Sequence, residues 1–184
     1  MPQYTFLFPS QLLFINFITD SLPAIALGLE PAEYDIMDRP PRENSSNILS
    51  NGVGYNILYQ AGLQIVIIML MFTLGVKFYG NKVATTMVFF TISLIQVFHS
   101  FNLKTNHSLK TINIFKNKVF NYSVLIEFGL IALVAFVPFL TSIFGLCSLT
   151  WVQWLIVLAS SICIIPFVEL SKFLVDKLKI ERVK

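Results

Sequence analysis

The sequence predicts an all-α fold: a polytopic membrane helix bundle with five transmembrane helices, forming one membrane domain over residues 1–184. Three observations carry that expectation. The chain is 55% hydrophobic and 12% charged, with 18 Phe and a mean hydropathy of +0.73, whereas soluble domains carry about a quarter charged residues. Five apolar runs are each long enough to cross a bilayer. Nearly all the charge collects between them. The composition excludes disordered, collagen-like and disulfide-scaffold classes. A net charge of +3 without a basic stripe argues against nucleic acid as a partner.

The first run, residues 8–29, is interrupted by Asn16, Thr19, Asp20 and Pro23, so something other than lipid solubility must explain its crossing. The runs at 55–79, 83–102, 120–144 and 150–174 are more continuously apolar. Pro138 and Pro166 are expected to kink the last two, because proline removes a helical donor and crowds the preceding turn. Trp151 and Trp154 start the last run, where indoles suit an interfacial belt. Cys147 and Cys163 would be roughly 24 Å apart along one helix, so no internal disulfide is expected.

Charge placement predicts orientation. Of 13 Lys and Arg residues, Arg39 and Arg42 lie in the 30–54 loop, and Lys104, Lys110, Lys116 and Lys118 around the 103–119 loop. Lys172, Lys177, Lys179, Arg182 and Lys184 lie at the C-terminal end, leaving Lys77 and Lys82 beside the second turn. Positive residues favour the cytoplasmic side, so loops 30–54 and 103–119 and the tail are expected there, with the N-terminus outside. The N-terminus has no basic region before its apolar run and does not read as a signal peptide. An outward N-terminus is natural for a piece of a longer chain.

An ionisable residue inside a span is a functional candidate, because an unpartnered charge in hydrocarbon costs several kcal/mol. Asp20, Glu127 and Glu169 are the three such carboxylates. On an α-helix, Asn16, Thr19 and Asp20 share one face. Pro23 leaves the Thr19 carbonyl without its usual donor. Several oxygens at membrane depth suit a hard cation such as Ca²⁺, and opened backbone at the midplane is how ion transporters build sites. Hydrogen-bonding glue between helices is the alternative reading. Glu127 is expected to pair with Lys116 or Lys118, and Glu169 with Lys172 at i+3. His99, without a second His or Cys beside it, reads as a buried or interface histidine.

The run Gln11-Leu-Leu-Phe-Ile-Asn-Phe-Ile-Thr-Asp-Ser-Leu-Pro-Ala-Ile-Ala-Leu-Gly-Leu-Glu-Pro31, followed by Asp35-Ile-Met-Asp-Arg-Pro-Pro-Arg42, resembles the sixth transmembrane helix and following loop of calcium-transporting P-type ATPases. The likeness extends over the whole chain as helices six to ten. It implies Asn16, Thr19 and Asp20 as cation ligands, and Asn16 favours the calcium-type branch over sodium and potassium pumps. Gln96 stands where reticulum-type pumps carry a Glu serving one of two calcium sites. It offers a carbonyl oxygen but no charge, which resembles pumps that move one calcium per cycle; an interhelical hydrogen bond is its plainer role. The resemblance also implies that the acidic 30–54 loop touches a cytoplasmic phosphorylation domain.

The D-K-T-G phosphorylation motif, nucleotide-binding and actuator domains and helices one to five are not in the sequence, and no P-loop replaces them. No catalytic residue is therefore expected here, and ATP and Mg²⁺ belong to an intact pump. The expected cargo is Ca²⁺, with Mn²⁺ also compatible with oxygen ligands. The expected partners are the missing N-terminal part and the lipid bilayer, and the expected location is the plasma membrane. A free-standing five-span protein with a structural or regulatory role is the alternative.

Overall fold

The computed structural model describes residues 5–31, 37, 53–105, 109 and 116–177. The acidic and proline-rich positions Glu33, Asp35, Asp38, Arg39, Pro40, Pro41, Arg42 and Glu43, and the tail beyond Lys177, lie outside them. The described elements are helices: α1 (Pro9–Phe14), a π-helical turn (Ile15–Asp20), α2 (Ser21–Leu27), α3 (Val53–Tyr79), α4 (Asn81–Asn102), α5 (Lys118–Phe136), α6 (Pro138–Ile143), α7 (Trp151–Ile162) and α8 (Ile164–Lys177). Five continuous helical stretches are long and apolar enough to cross a membrane.

α4 is the central helix. Of its most apolar window 72% is buried, against 6% for α3, so α3 packs along one side of α4 and turns most of its surface outward. Gly80, at φ +86°, joins the two in a one-residue turn that a side chain would strain. The hairpin closes tightly because Gly75 has no side chain: a Cβ there would sit 2.9 Å from Ala84 Cβ. An aromatic cluster forms the core around Phe14, Phe89 and Phe144, with ring centroids 5.6 Å (Phe14–Phe89) and 5.4 Å (Phe14–Phe144) apart. Trp154 belongs to that cluster, 4.8 Å from Phe90 and 5.9 Å from Phe136. The belt expectation is corrected for this indole, which packs inward, whereas Trp151 is 86% exposed.

Both prolines interrupt their helices. Val137 takes an extended conformation, φ −87° and ψ 113°, because Pro138 Cδ disfavours the α region for the residue before it. The expected 120–144 helix is thus two pieces, α5 and α6. The last stretch breaks at Cys163, next to Ile162, whose carbonyl Pro166 leaves without an i+4 donor. A capping box opens α7: Gln153 N–H donates to Thr150 Oγ1 at 3.4 Å and Thr150 N–H to Gln153 Oε1 at 2.8 Å.

At the opposite end of the bundle, Asn117 joins three elements. Its Oδ1 caps α5 by accepting Phe120 N–H at 3.0 Å, and its Nδ2 donates to the Ala26 carbonyl at 3.1 Å and to Glu30 Oε2 at 2.9 Å. Lys104 reaches Glu30 at 3.5 Å and lies 4.3 Å from the Phe120 ring centroid. Close by in sequence, the expected Glu169–Lys172 pair is present at 3.4 Å. It fastens the segment after α4 to α8, since Leu109 N–H donates to Glu169 and Lys172 donates to the carbonyls of Asn102 and Thr105, at 2.9 and 3.0 Å.

Candidate intramembrane cation site

The sequence Ile15-Asn-Phe-Ile-Thr-Asp20 adopts a π turn rather than the α-helix assumed from its spacing. Three β-branched residues, Ile15, Ile18 and Thr19, crowd this turn, and Pro23 further on cannot donate. The wider i→i+5 turn is marked by Ser21 Oγ, which donates to the carbonyl of Asn16 at 3.2 Å. π turns of this kind occur preferentially at functional positions.

Underwinding changes which side chains share a face. Asn16 and Asp20 remain together on the exposed side of the helix, while Thr19 turns inward and is 1% exposed. The expectation that all three converge is corrected accordingly: a π turn rotates residue 19 away from 16 and 20. Thr19 Oγ1 donates to the Ile15 carbonyl at 2.7 Å and is hydrogen-bonded to Gln96 Oε1 of α4. The structure therefore brings Thr19 and Gln96 together and leaves Asn16 and Asp20 facing out of the described bundle.

Glu127 overturns its sequence reading. Lys116 and Lys118 are exposed, and Glu127 is 0% exposed, with neither carboxyl oxygen hydrogen-bonded. No described lysine pairs with it. It sits in the inward stripe Phe120, Ser123, Val124, Glu127, Ile131 and Val134 of α5. α5 is apolar on all sides, so hydrophobic periodicity gave no sign of the face that turns inward. The usable signal was the carboxylate at i+3 and i+4 from Val124 and Ser123 and at i−4 from Ile131.

His99 is buried with Nδ1 unpartnered. Cys147 and Cys163 are free thiols. Among the described residues no cluster of three His, Cys, Asp or Glu surrounds a point, so a thiophilic or imidazole metal centre has no donor set here. The oxygens of Asn16, Thr19, Asp20 and Gln96 are amide, hydroxyl and carboxylate, which suit a hard cation.

The family model described as cation transporting ATPase, C-terminus, matches residues 5–174. Calcium-transporting ATPase 1 of Bacillus cereus is 33% identical over 178 residues, covering 87% of this chain and 20% of that protein. Calcium-transporting ATPase 1 of Saccharomyces cerevisiae is 31% identical over 172 residues, covering 92% and 17%. The plasma membrane-type calcium-transporting ATPase 8 of Arabidopsis thaliana is 30% identical over 175 residues, covering 89% and 16%. The chain thus spans about a fifth of the length of the relatives it matches. With its five membrane-length helices and a match over nearly all of its residues, this integral membrane protein belongs to the family of cation-transporting ATPase C-terminal regions.

Proposed function

We propose that the chain is the C-terminal membrane portion of an ATP-driven calcium pump, in which Asn16, Thr19, Asp20 and Gln96 supply part of the intramembrane ion site. The observation that carries this reading is the π turn at Ile15–Asp20. An apolar helix gains nothing from an opened turn beside a carboxylate unless the freed oxygens bind something. Asp20 and Asn16 face outward, where oxygens from further helices can complete a shell that Ca²⁺ fills with six to eight ligands.

Four residues cannot provide that shell, and ATP chemistry needs a phosphorylation domain. The rest of the site and the energy source therefore come from an N-terminal part with helices one to five and the cytoplasmic domains, which also bring ATP and Mg²⁺. The named relatives are calcium-transporting, which supports Ca²⁺ as cargo; Mn²⁺ is compatible with the same donors. The Lys and Arg of the two loops and the tail support an orientation with the N-terminus outside and the C-terminus in the cytoplasm, in the plasma membrane on this reading.

The test is made in the complete pump. Asp20→Asn keeps size and removes the charge, and is expected to abolish calcium-dependent phosphorylation by ATP while the protein still inserts. Normal calcium dependence in that variant refutes the assignment. Transport competition between Ca²⁺ and Mn²⁺ in sealed vesicles identifies the preferred cargo.

A further inference from the structure

A cavity of about 510 Å³ opens at the end of the bundle opposite Asn117, between the first turn of α4, the broken α5–α6 stretch and the start of α7. Ligand pockets span about 300–1,000 Å³, so it can hold a small polar group with part of an apolar one. Its wall is mixed. Lys82, Ser142 and Ser148 bring an ammonium and two hydroxyls, and Phe136, Leu149 and Trp154 bring apolar surface.

Hydrogen bonds within the chain hold that wall in shape. Cys147 N–H donates to Thr86 Oγ1 at 3.1 Å, and Leu146 N–H to the Thr141 carbonyl at 2.9 Å, which tie the turn after α6 to α4 and to α6. Gly145 makes this turn at φ +64°, with the Phe8 ring 3.2 Å from where a Cβ would stand. The cavity is therefore preformed, and a ligand is spared the cost of ordering it.

Lys82 has no carboxylate of this chain within reach at its end of the bundle. The sequence holds no Asp or Glu before Asp20, between Glu43 and Glu127, or between Glu127 and Glu169. Glu127 itself lies nine residues before Phe136, about 14 Å deeper along α5. The 22 residues of α4 extend about 33 Å, close to the thickness of a bilayer's hydrocarbon core. Lys82, the second of them, thus stands at the level of the phospholipid phosphates. Phe136 is 72% exposed, so the apolar wall continues onto the surface that meets lipid. None of the lining residues belongs to the first helix or to α3, the elements whose outward oxygens and exposed surface await further helices under the proposed function.

We infer that this cavity binds the headgroup of an anionic phospholipid, its phosphate against Lys82, Ser142 and Ser148 and its first acyl carbons against Phe136, Leu149 and Trp154. An ammonium beside two hydroxyls gives phosphate oxygens both a charge and donors, and basic pockets between membrane helices take lipid headgroups in this way. A headgroup with its own amine finds no carboxylate in the wall, so net negative charge is the preferred class. A soluble anion fills only the polar half and leaves the apolar half empty. The bound lipid bridges α4 to α6 and α7, elements that the turn at Gly145 otherwise joins alone at this end.

The test uses the purified, delipidated full-length protein in neutral detergent, without ATP or Ca²⁺, so its outcome is independent of the ion-site reading. Phosphatidylglycerol is titrated and bound lipid is counted by native mass spectrometry, with phosphatidylcholine and inorganic phosphate as comparison arms. Phosphatidylglycerol is expected to be retained in preference to phosphatidylcholine, and Lys82→Gln is expected to weaken its tightest binding about fivefold, the worth of one lysine beside an anionic lipid. Lys77→Gln removes an exposed lysine at the same end but outside the cavity, and is expected to leave that binding unchanged. Ser142→Phe, at an exposed position, fills the space without altering charge. It is expected to abolish retention with the thermal melt unchanged, and it keeps the test decisive if Lys82→Gln does not fold. Equal weakening by Lys77→Gln and Lys82→Gln reveals diffuse attraction and overturns the site. Equal retention of phosphatidylcholine overturns the anionic class. Displacement of the lipid by an equal concentration of inorganic phosphate makes the ligand a free anion and overturns the lipid assignment.

Discussion

Thr19 and Gln96, 77 residues apart in sequence, are hydrogen-bonded side chain to side chain across the first helix and α4. The Thr19 hydroxyl also donates to the Ile15 carbonyl at 2.7 Å, so a single proton faces two acceptors. Three oxygens from two helices thus meet where the π turn ends. A hard cation offers all of them a common partner, whereas one proton satisfies only one acceptor at a time.

Removing the Thr19 oxygen should be felt by the ion before it is felt by the fold. Thr19→Val keeps the shape and removes one proposed ligand. In the complete pump it is expected to raise the Ca²⁺ concentration for half-maximal phosphorylation about tenfold, about 1.4 kcal/mol. Thr73→Val is the control: that hydroxyl also bonds its own helix, donating to Met69 O at 2.9 Å, but lies on the exposed side of α3. Equal shifts in the two variants would show that the effect is a general one of helix threonines.

Much of the architecture was legible because lipid imposes a length and an apolar composition on every crossing helix. Pro138 and Pro166 announced their breaks through their missing N–H groups, and Lys172 lay at the right spacing to meet Glu169. The site was less legible because its geometry depends on a departure from the α-helix. Asn16, Thr19 and Asp20 share a face only at α-helical winding, and the π turn at Ile15–Asp20 separates them. Glu127 was misread because nearby lysines in sequence are not neighbours in space. Its helix is apolar on all sides, so its inward face is decided by α4 and α2 rather than by its own pattern.

The α3–α4 hairpin should respond to volume at one point. Gly75→Ala would place a methyl 2.9 Å from Ala84 Cβ and 3.0 Å from Ala84 Cα. Overpacking of this kind costs about 1–3 kcal/mol. A lowered unfolding temperature in detergent is expected. Adding Ala84→Gly removes the opposing methyl and should recover part of the loss, which the double-mutant cycle measures as a coupling. Additive effects in that cycle would mean that the two residues do not touch.

Asn117 should be worth more than an ordinary cap. Asn117→Ala removes the acceptor for Phe120 N–H and the two donor bonds to Ala26 and Glu30. Loss of an N-cap costs about 0.5–2 kcal/mol, and the buried Ala26 carbonyl loses a partner as well, so about 2–3 kcal/mol is expected. Asn117→Asp keeps the cap acceptor but sets a carboxylate against Glu30 and cannot donate. It is expected to recover little. Thermal unfolding of the purified protein ranks the two variants, and faster amide exchange at Phe120 in the Ala variant alone would isolate the capping contribution.

Orientation is testable with the chain's own thiol chemistry. Cys147 and Cys163, the two cysteines of this sequence, are replaced together with any elsewhere in the pump to obtain a cysteine-free background. Ser148 and Lys116 are both exposed and lie at opposite ends of the bundle, Ser148 before α7 and Lys116 before α5. On the proposed orientation, argued from the Lys and Arg of the 30–54 and 103–119 loops and the tail, Lys116 is expected in the cytoplasm and Ser148 outside. A membrane-impermeant maleimide applied to intact cells is therefore expected to label Ser148→Cys, and to label Lys116→Cys only after permeabilisation. The reverse pattern would invert the bundle, and with it the direction from which a cation reaches Asp20.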